Sequence, residues 1–255
     1  LQNKLIVKKL FGVDKKINFN GLSIDTRTIK KDNLFLAIKG KNNDGNQFIS
    51  KAIKKGASYI VSSNRIKNRK NLIKVNSPIE FLNKFANLKR RNTNAKILAI
   101  TGSAGKTSLK NILYSLIKDQ KNTFASARSF NNHFGVPLSL SNLNLAHQIG
   151  IFEVGMNKSG EINKLSKMIK PNVAVITNIG EAHIENFRNK VGIANAKSEI
   201  IENIEKGGTL ILNKDDKFFS LLNKKAKLKK IKVVSFGKTK KSDIKLISSQ
   251  KYKNF

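Results

Sequence analysis

Short apolar runs alternate with amphipathic stretches along this chain, and their rhythm changes near residue 92. In the first region, the runs at 34–38 and 58–61 have the length and the aromatic or branched content of buried strands. Between them, residues 47–55 carry apolar side chains at helical spacing and stop at Gly56, a residue suited to a helix C-cap. A polar stretch at 89–94 follows, and a domain boundary is expected there, dividing the chain into 1–91 and 92–255.

The second region is more regular. Strands are predicted over 97–101, 149–154, 173–177, 209–212 and 231–236, and helices over 106–118, 161–169 and 191–204. Asn178 and Gly180 end the third strand, and Gly207 and Gly208 follow the last helix. Strand–helix alternation of this kind predicts an α/β fold, with a mostly parallel sheet flanked by helices on both faces. The first region reads as a smaller α/β domain. No internal repeat is visible, and the Lys-rich run at 224–232 is expected to be a solvated helix end.

Composition narrows the class. A length of 255 residues suits two domains, and a hydrophobic fraction of 39% is enough for two cores. No apolar run is long enough to cross a bilayer, so no membrane insertion is expected. Residues 1–10 lack the long apolar centre and small-residue cleavage site of a secretion signal, and a cytoplasmic protein is expected. The chain opens on Leu1 rather than Met, so residues upstream are expected. The absence of Cys excludes disulfides and thiolate metal sites, and with three His no zinc site is expected. The net charge of +34 invites a nucleic-acid reading. Lys is spread over the whole length beside abundant Asn and Ile, so no specific nucleic-acid surface is expected. The charge still draws polyanions, nucleotides among them.

The sharpest chemical signal is Thr101-Gly102-Ser103-Ala104-Gly105-Lys106-Thr107-Ser108. It follows a predicted strand and opens a predicted helix, the context in which a phosphate loop works. Glycines let backbone N–H groups approach phosphate oxygens, and the helix N-terminus adds the positive end of its dipole. Lys106 would reach the β- and γ-phosphates, and the Thr107 hydroxyl would bind Mg²⁺. Ile100 stands where the longer form of the motif has another Gly. Two further strand ends carry groups able to hold a metal, Glu153 and His183. Taken alone, Glu153 reads equally well as a solvated strand-end charge, and a lone His is more often structural. Their place on the same sheet edge as the loop raises both. His133 and His147 have no such placement.

These residues resemble the Mur ligase family. Thr101 to Ser108 is similar to its phosphate loop, with Ala104 in place of the usual Asn. In order along the chain come Asn131-Asn132 with Gly135 and Pro137, then Glu153-Val154-Gly155-Met156-Asn157 with Gly160-Glu161-Ile162. Thr177-Asn178-Ile179-Gly180-Glu181-Ala182-His183 and Ala194-Asn195-Ala196-Lys197-Ser198-Glu199-Ile200 complete the second region's matches. In the first region, Ser23-Ile24-Asp25-Thr26-Arg27, Phe35 to Gly40 and Asp44-Gly45 resemble the family's remaining segments. Phe130 and Ser198 depart from its usual residues.

The resemblance implies an ATP-dependent amide ligase of peptidoglycan precursor synthesis. A substrate carboxylate is phosphorylated and an incoming amine then displaces phosphate. The branch resembled most adds D-alanyl-D-alanine to UDP-N-acetylmuramoyl-tripeptide. A sister ligase adding one amino acid, and a basic nucleotide- or RNA-binding P-loop protein without ligase activity, are the alternatives. By resemblance, residues 1–91 form a domain binding the UDP precursor, with Ser23, Asp25, Thr26, Arg27, Lys39 and Asp44 as its contacts. Residues 92–255 form a P-loop ATPase domain expected to be incomplete, with a C-terminal ligase domain beyond it. Gly102, Ser103, Ala104, Gly105, Lys106, Thr107, Ser108 and Asn178 would hold ATP. Two Mg²⁺ ions are implied, on Thr107, Glu153, His183 and Lys197, with Lys197 carbamylated. Without the resemblance, Lys197 reads as a solvated helix lysine. Lys106, Lys197, His183, Asn131 and Asn132 are the implied catalytic residues, and a monomer is expected.

Overall fold

The computed structural model of the chain describes residues 17–40, 43–65 and 70–248. The segment 1–10, read above as lacking a secretion signal, lies outside them. The chain forms two compact units, one of Leu1–Thr93 with Pro137–Asn144, the other of Asn94–Val136 with Leu145–Phe255.

The first unit is built on a parallel sheet of β1 (Gly21–Ser23), β2 (Asn33–Leu36), β3 (Ala57–Ser62) and β4 (Leu72–Lys74), in that order. The helix predicted over 47–55 begins as a 3₁₀ turn, Gly45–Phe48, and continues as α1 (Ile49–Lys54). The turn is tighter because the Asp44 side chain accepts from the Asn46 N–H and draws the chain into it. Phe35, Ala37, Ile49, Ala52 and Ile60 form the core beneath. A helix absent from the sequence prediction, α2 (Pro78–Arg91), starts at a Ser77 cap whose hydroxyl oxygen accepts from the Glu80 N–H, with Pro78 in its first turn. Its last turn holds Lys89, Arg90 and Arg91, so the stretch expected to be a linker begins inside a helix. Residues 137–144 finish the sheet. The Asn142 side chain accepts from the Leu22 N–H at 2.9 Å and donates to the Leu22 carbonyl at 3.0 Å, standing in for a neighbouring strand. A Cβ on Gly21 would come within 2.7 Å of that Asn142 oxygen, so a side chain there would push the amide out of its two bonds.

The second unit carries a seven-stranded parallel sheet in the order β11-β10-β9-β8-β5-β7-β6. Its strands are β5 (Lys96–Thr101), β6 (Thr123–Ala125), β7 (Ile149–Glu153), β8 (Val173–Ile176), β9 (Thr209–Asn213), β10 (Lys232–Gly237) and β11 (Ile244–Lys245). Its helices are α3 (Lys106–Ile117), α5 (Glu161–Ile169), α6 (Lys190–Ser198) and α7 (Phe219–Leu228), while α4 (Gly135–Ser141) starts here and runs into the 137–144 segment of the first unit. The fold class is the one predicted. Ile100, Ile151 and Val175 centre the sheet's core, with Leu109 and Leu113 of α3 packed against them. Two predicted elements change shape. The helix predicted over 191–204 ends at Ser198 and tightens into a 3₁₀ segment, Glu199–Asn203. The Lys-rich run closes α7 and then opens β10, turning at Lys230 with φ 54°.

Strand order reverses beside β5. From β5 the chain passes to the edge strand β6, returns through β7, and then crosses to β8 on the other side of β5, from which it runs outward through β9, β10 and β11. In open parallel sheets the crevice beyond the C-terminal ends at such a reversal is where ligands sit. The phosphate loop leaves β5, Glu153 ends β7, and the Thr177–His183 stretch leaves β8, so all three meet at that crevice.

Candidate functional site

The loop after β5 is braced from behind. Gly102 has φ 145°, and a Cβ there would lie 1.9 Å from the Thr177 hydroxyl oxygen, so only glycine lets the strands stay together. The Thr177 hydroxyl donates to the Ala104 carbonyl at 2.6 Å, and the Asn178 side-chain oxygen accepts from the Ala104 N–H at 3.0 Å. The Ser103 hydroxyl accepts from the Gly180 N–H at 2.8 Å. Gly105, at φ 81°, is the N-cap of α3 and gives it no side-chain cap, leaving the first-turn N–H groups to a ligand. Lys106 folds back so that its ammonium donates to the Gly102 carbonyl at 2.8 Å.

Glu153 is 1% exposed at the end of β7. Its Oε2 accepts from the Thr107 hydroxyl at 2.8 Å and its Oε1 from the Asn131 amide at 2.7 Å. Both donors are neutral. The charge is balanced through space by Lys106 and Lys110, whose ammonium groups burial pushes below the ordinary lysine range while Glu153 pulls them back up. Lys110 is 2% exposed and donates to the Arg128 carbonyl.

A cavity of about 310 Å³ opens beside this group, with Lys106, Asn131, Asn132, His183 and Lys197 on its wall. These are the five residues named as catalytic from the resemblance, and the structure brings all five together. Asn132 also caps the helix that follows, its side-chain oxygen accepting from the Phe134 and Gly135 N–H groups. His183 sits at φ 66°, a left-handed conformation that turns the chain after β8 toward the cavity. Lys197 is 2% exposed, and its pKa falls to about 8, first through burial and then through the charge of Lys106. The solvated-lysine reading therefore fails for it. His133, which follows no predicted strand end, lines the same cavity. So do Glu161 and Lys164, at the start of α5.

Oxygen donors suit Mg²⁺, which commonly takes one or two carboxylates and completes its shell with phosphate oxygens and water. The Thr107 hydroxyl and the Glu153 carboxylate, bonded together beside an open helix N-terminus, fit that set. Among the described residues no three His, Cys, Asp or Glu side chains cluster as a metal site, so a second ion would need donors of another kind.

The residues expected to hold the UDP precursor lie in the first unit. Ser23 is buried, and its hydroxyl donates to the Asp25 carbonyl and accepts from the Asp25 N–H. Asp25 holds Arg27 in a fork, accepting from Nε at 3.0 Å and from Nη2 at 2.8 Å. That pair is exposed on the Arg27 side. Thr26 is buried. Lys39 and Asp44 face each other across an antiparallel bridge, and the Asp44 carboxylate is held by the N–H and side-chain amide of Asn46.

Family models match both regions of the chain. Residues 100–255 match the Mur ligase middle domain, and residues 18–90 match the Mur ligase family catalytic domain. The chain belongs to the Mur ligase family. Among Mur ligases it is 38% identical over 238 residues to the UDP-N-acetylmuramoyl-tripeptide–D-alanyl-D-alanine ligase of Rickettsia prowazekii, covering 92% of this chain and 53% of that protein. A crystal structure of MurF from Acinetobacter baumannii superposes with a TM-score of 0.81 at 29% identity, covering 94% of this chain and 53% of that one. MurF of Thermotoga maritima, solved in complex with ADP, superposes with a TM-score of 0.73 at 31% identity, covering 88% and 52%. The chain thus spans about half the length of the curated relatives it matches. No helix among the described residues is long and apolar enough to cross a membrane.

Proposed function

We propose that this chain supplies the precursor-binding and ATP-binding parts of an ADP-forming ligase that joins D-alanyl-D-alanine to UDP-N-acetylmuramoyl-tripeptide. The observation that carries the reading is the convergence of an uncapped phosphate loop, a buried Glu153 bonded to Thr107, and a buried Lys197 at one sheet edge. The names of the relatives support the dipeptide as the incoming amine, and the ADP-bound relative supports ATP as the phosphoryl donor.

A carboxylate is a poor electrophile. Passing the γ-phosphoryl group to it creates a leaving group, and negative charge spreads over that group as it moves. Lys106 and the first turn of α3 supply fixed positive charge where it develops. In this reading Lys106 exchanges its Gly102 carbonyl for phosphate oxygens when nucleotide enters. Thr107 and Glu153 would hold Mg²⁺, which neutralises phosphate charge when bound. A protonated Lys197 has no lone pair for a metal. With its pKa near 8, a fraction is neutral at cellular pH and can attack CO₂, forming an N–C bond, releasing a proton and leaving a carbamate anion. That anion, with His183, would give the second ion oxygen and nitrogen donors. Asn131, Asn132 and His183 are proposed to orient the reacting groups on the cavity wall.

The first unit is proposed to hold the uridine diphosphate through Ser23, Asp25, Thr26, Arg27, Lys39 and Asp44. Here Asp25 acts on the ligand indirectly, by fixing the Arg27 fork. Residues 1–91 and 92–255 are the proposed functional divisions. A monomer in the cytoplasm is the proposed working form.

The test is phosphate release by the complete protein given ATP, Mg²⁺ and the tripeptide nucleotide. Release is expected to be faster with D-alanyl-D-alanine than with any single amino acid. A preference for L-alanine, D-glutamate or a diamino acid would move the chain to a sister ligase. Release indifferent to both substrates would leave a P-loop protein without ligase activity.

A further inference from the structure

Glu153 is held by two arms of the chain. From α3, the Thr107 hydroxyl donates to Oε2, and from the 126–132 loop the Asn131 amide donates to Oε1. A third bond ties the arms together. One turn along α3 from Thr107, Lys110 points inward at 2% exposure and donates to the carbonyl of Arg128, three residues before Asn131. The path Thr107–Lys110–Arg128–Asn131–Glu153 closes on itself as a ring of side chains and short backbone segments.

The loop's shape depends on that closure. Arg128 sits at φ 48°, a left-handed conformation that costs a non-glycine residue and persists only where surrounding bonds enforce it. Beyond it the chain is tightly turned. Phe130 N–H donates to the Ala127 carbonyl, Asn131 N–H to the Ser129 carbonyl, and Gly155 N–H to the Asn131 carbonyl. Leu109 and Leu113 of α3 already pack on the sheet, so an apolar residue at 110 would serve packing alone without burying a cation. The buried amine is explained by what it fixes.

We propose that Lys110 is a positioning residue, locking the 126–132 loop to the phosphate-loop helix and thereby setting the Glu153 carboxylate for a Mg²⁺–nucleotide complex. The proposal rests on the function proposed above. Removing groups that orient metal ligands commonly costs about 10–100-fold in metal affinity, and an effect of that size is expected here.

Calorimetry of the 255-residue chain with ADP, with and without Mg²⁺, separates the two levels. If the wild-type chain binds ADP no better with Mg²⁺, both the functional reading and this inference fall. If Mg²⁺ strengthens ADP binding in the wild type, Lys110→Met should lose about tenfold of that gain while ADP binding without Mg²⁺ changes by less than about twofold. An unchanged Mg²⁺ effect in Lys110→Met would overturn the positioning role and leave the functional reading standing. Because Lys110 acts through Asn131, Lys110→Met and Asn131→Ala combined should weaken the Mg²⁺ effect no more than the stronger single change. Full additivity would also overturn the proposal. Should Lys110→Met fail to fold, hydrogen exchange on the wild-type chain carries the test. Adding Mg²⁺ to the ADP-bound chain should slow exchange at the Phe130 and Asn131 amides, and no change there would contradict the ring.

Discussion

Lys197 and Lys106 illustrate how much a site's chemistry turns on the surroundings of single amines. Both face the same cavity, yet Lys106 is bonded to the Gly102 carbonyl, while Lys197 is 2% exposed and its pKa falls to about 8. The sign of the consequence follows from linkage. An unfolded chain keeps the Lys197 proton up to about pH 10.5, whereas the folded chain releases it near 8. Between those values the unfolded state binds the extra proton, so raising pH favours the folded state, and below about 8 the two states are equally protonated. In CO₂-free buffer, the melting temperature of the wild type relative to Lys197→Met should therefore climb from about pH 8 to about pH 10. A flat difference would mean that the amine is not held in the buried state described. For Lys106, substitution by Ala should leave the melting temperature nearly unchanged and lower ATP turnover of the complete protein by about 10²–10³-fold, as loss of a fixed charge donor does elsewhere. Turnover near wild type would remove Lys106 from the phosphate site. The sequence made Lys106, Thr107 and Glu153 legible because each follows a strand with a clear apolar run. Lys110 was not legible. It falls beside Leu109 and before Leu113 on a helix that looks amphipathic, and nothing in the order of residues says that its amine points inward.

Among the elements, α5 shows how a helix end can be held by another part of the chain. Its N-cap is Gly160 at φ 85°, which offers no side chain. The Glu199 carboxylate fills that place, accepting from the Gly160 N–H at 2.7 Å, the Ser159 hydroxyl at 3.0 Å and the Asn163 N–H at 3.0 Å. Glu161 does the same for the turn before, accepting from the Asn157 and Lys158 N–H groups. Two carboxylates thus fix the cavity wall between Asn157 and Lys164, and Glu199 lies two residues beyond Lys197. Glu199→Ala should cost about 0.5–2 kcal/mol, the usual loss for a helix cap, and speed hydrogen exchange at the Gly160 and Asn163 amides. Unaltered exchange there would show that the carboxylate does not hold the helix. This clamp explains why the predicted helix over 191–204 breaks at Ser198, since the chain must turn for Glu199 to reach α5. Elements with long apolar periods, such as β5, α3 and β8, were legible from spacing. The three-residue β6 and the seven-residue α4 were not, because so few positions carry no period.

At the scale of the whole molecule, each unit is built on a parallel sheet, and the lysines behind the charge of +34 are spread along the whole sequence. Since residues 1–255 span about half the length of their relatives, they are expected on their own to bind nucleotide without completing ligation. Closing a site to water protects an acyl phosphate, and further parts of such enzymes commonly supply that closure. Calorimetry should accordingly detect ADP binding to the isolated chain, while an assay for dipeptide-dependent phosphate release should stay at background. Robust ligation by this chain would show that it contains the whole functional unit. The most direct test of carboxylate activation follows an oxygen atom. With the complete protein, ATP, Mg²⁺ and D-alanyl-D-alanine, a tripeptide nucleotide labelled with oxygen-18 in its terminal carboxylate should pass one labelled oxygen to inorganic phosphate for each amide bond formed. Amide formation with unlabelled phosphate would contradict phosphorylation of that carboxylate.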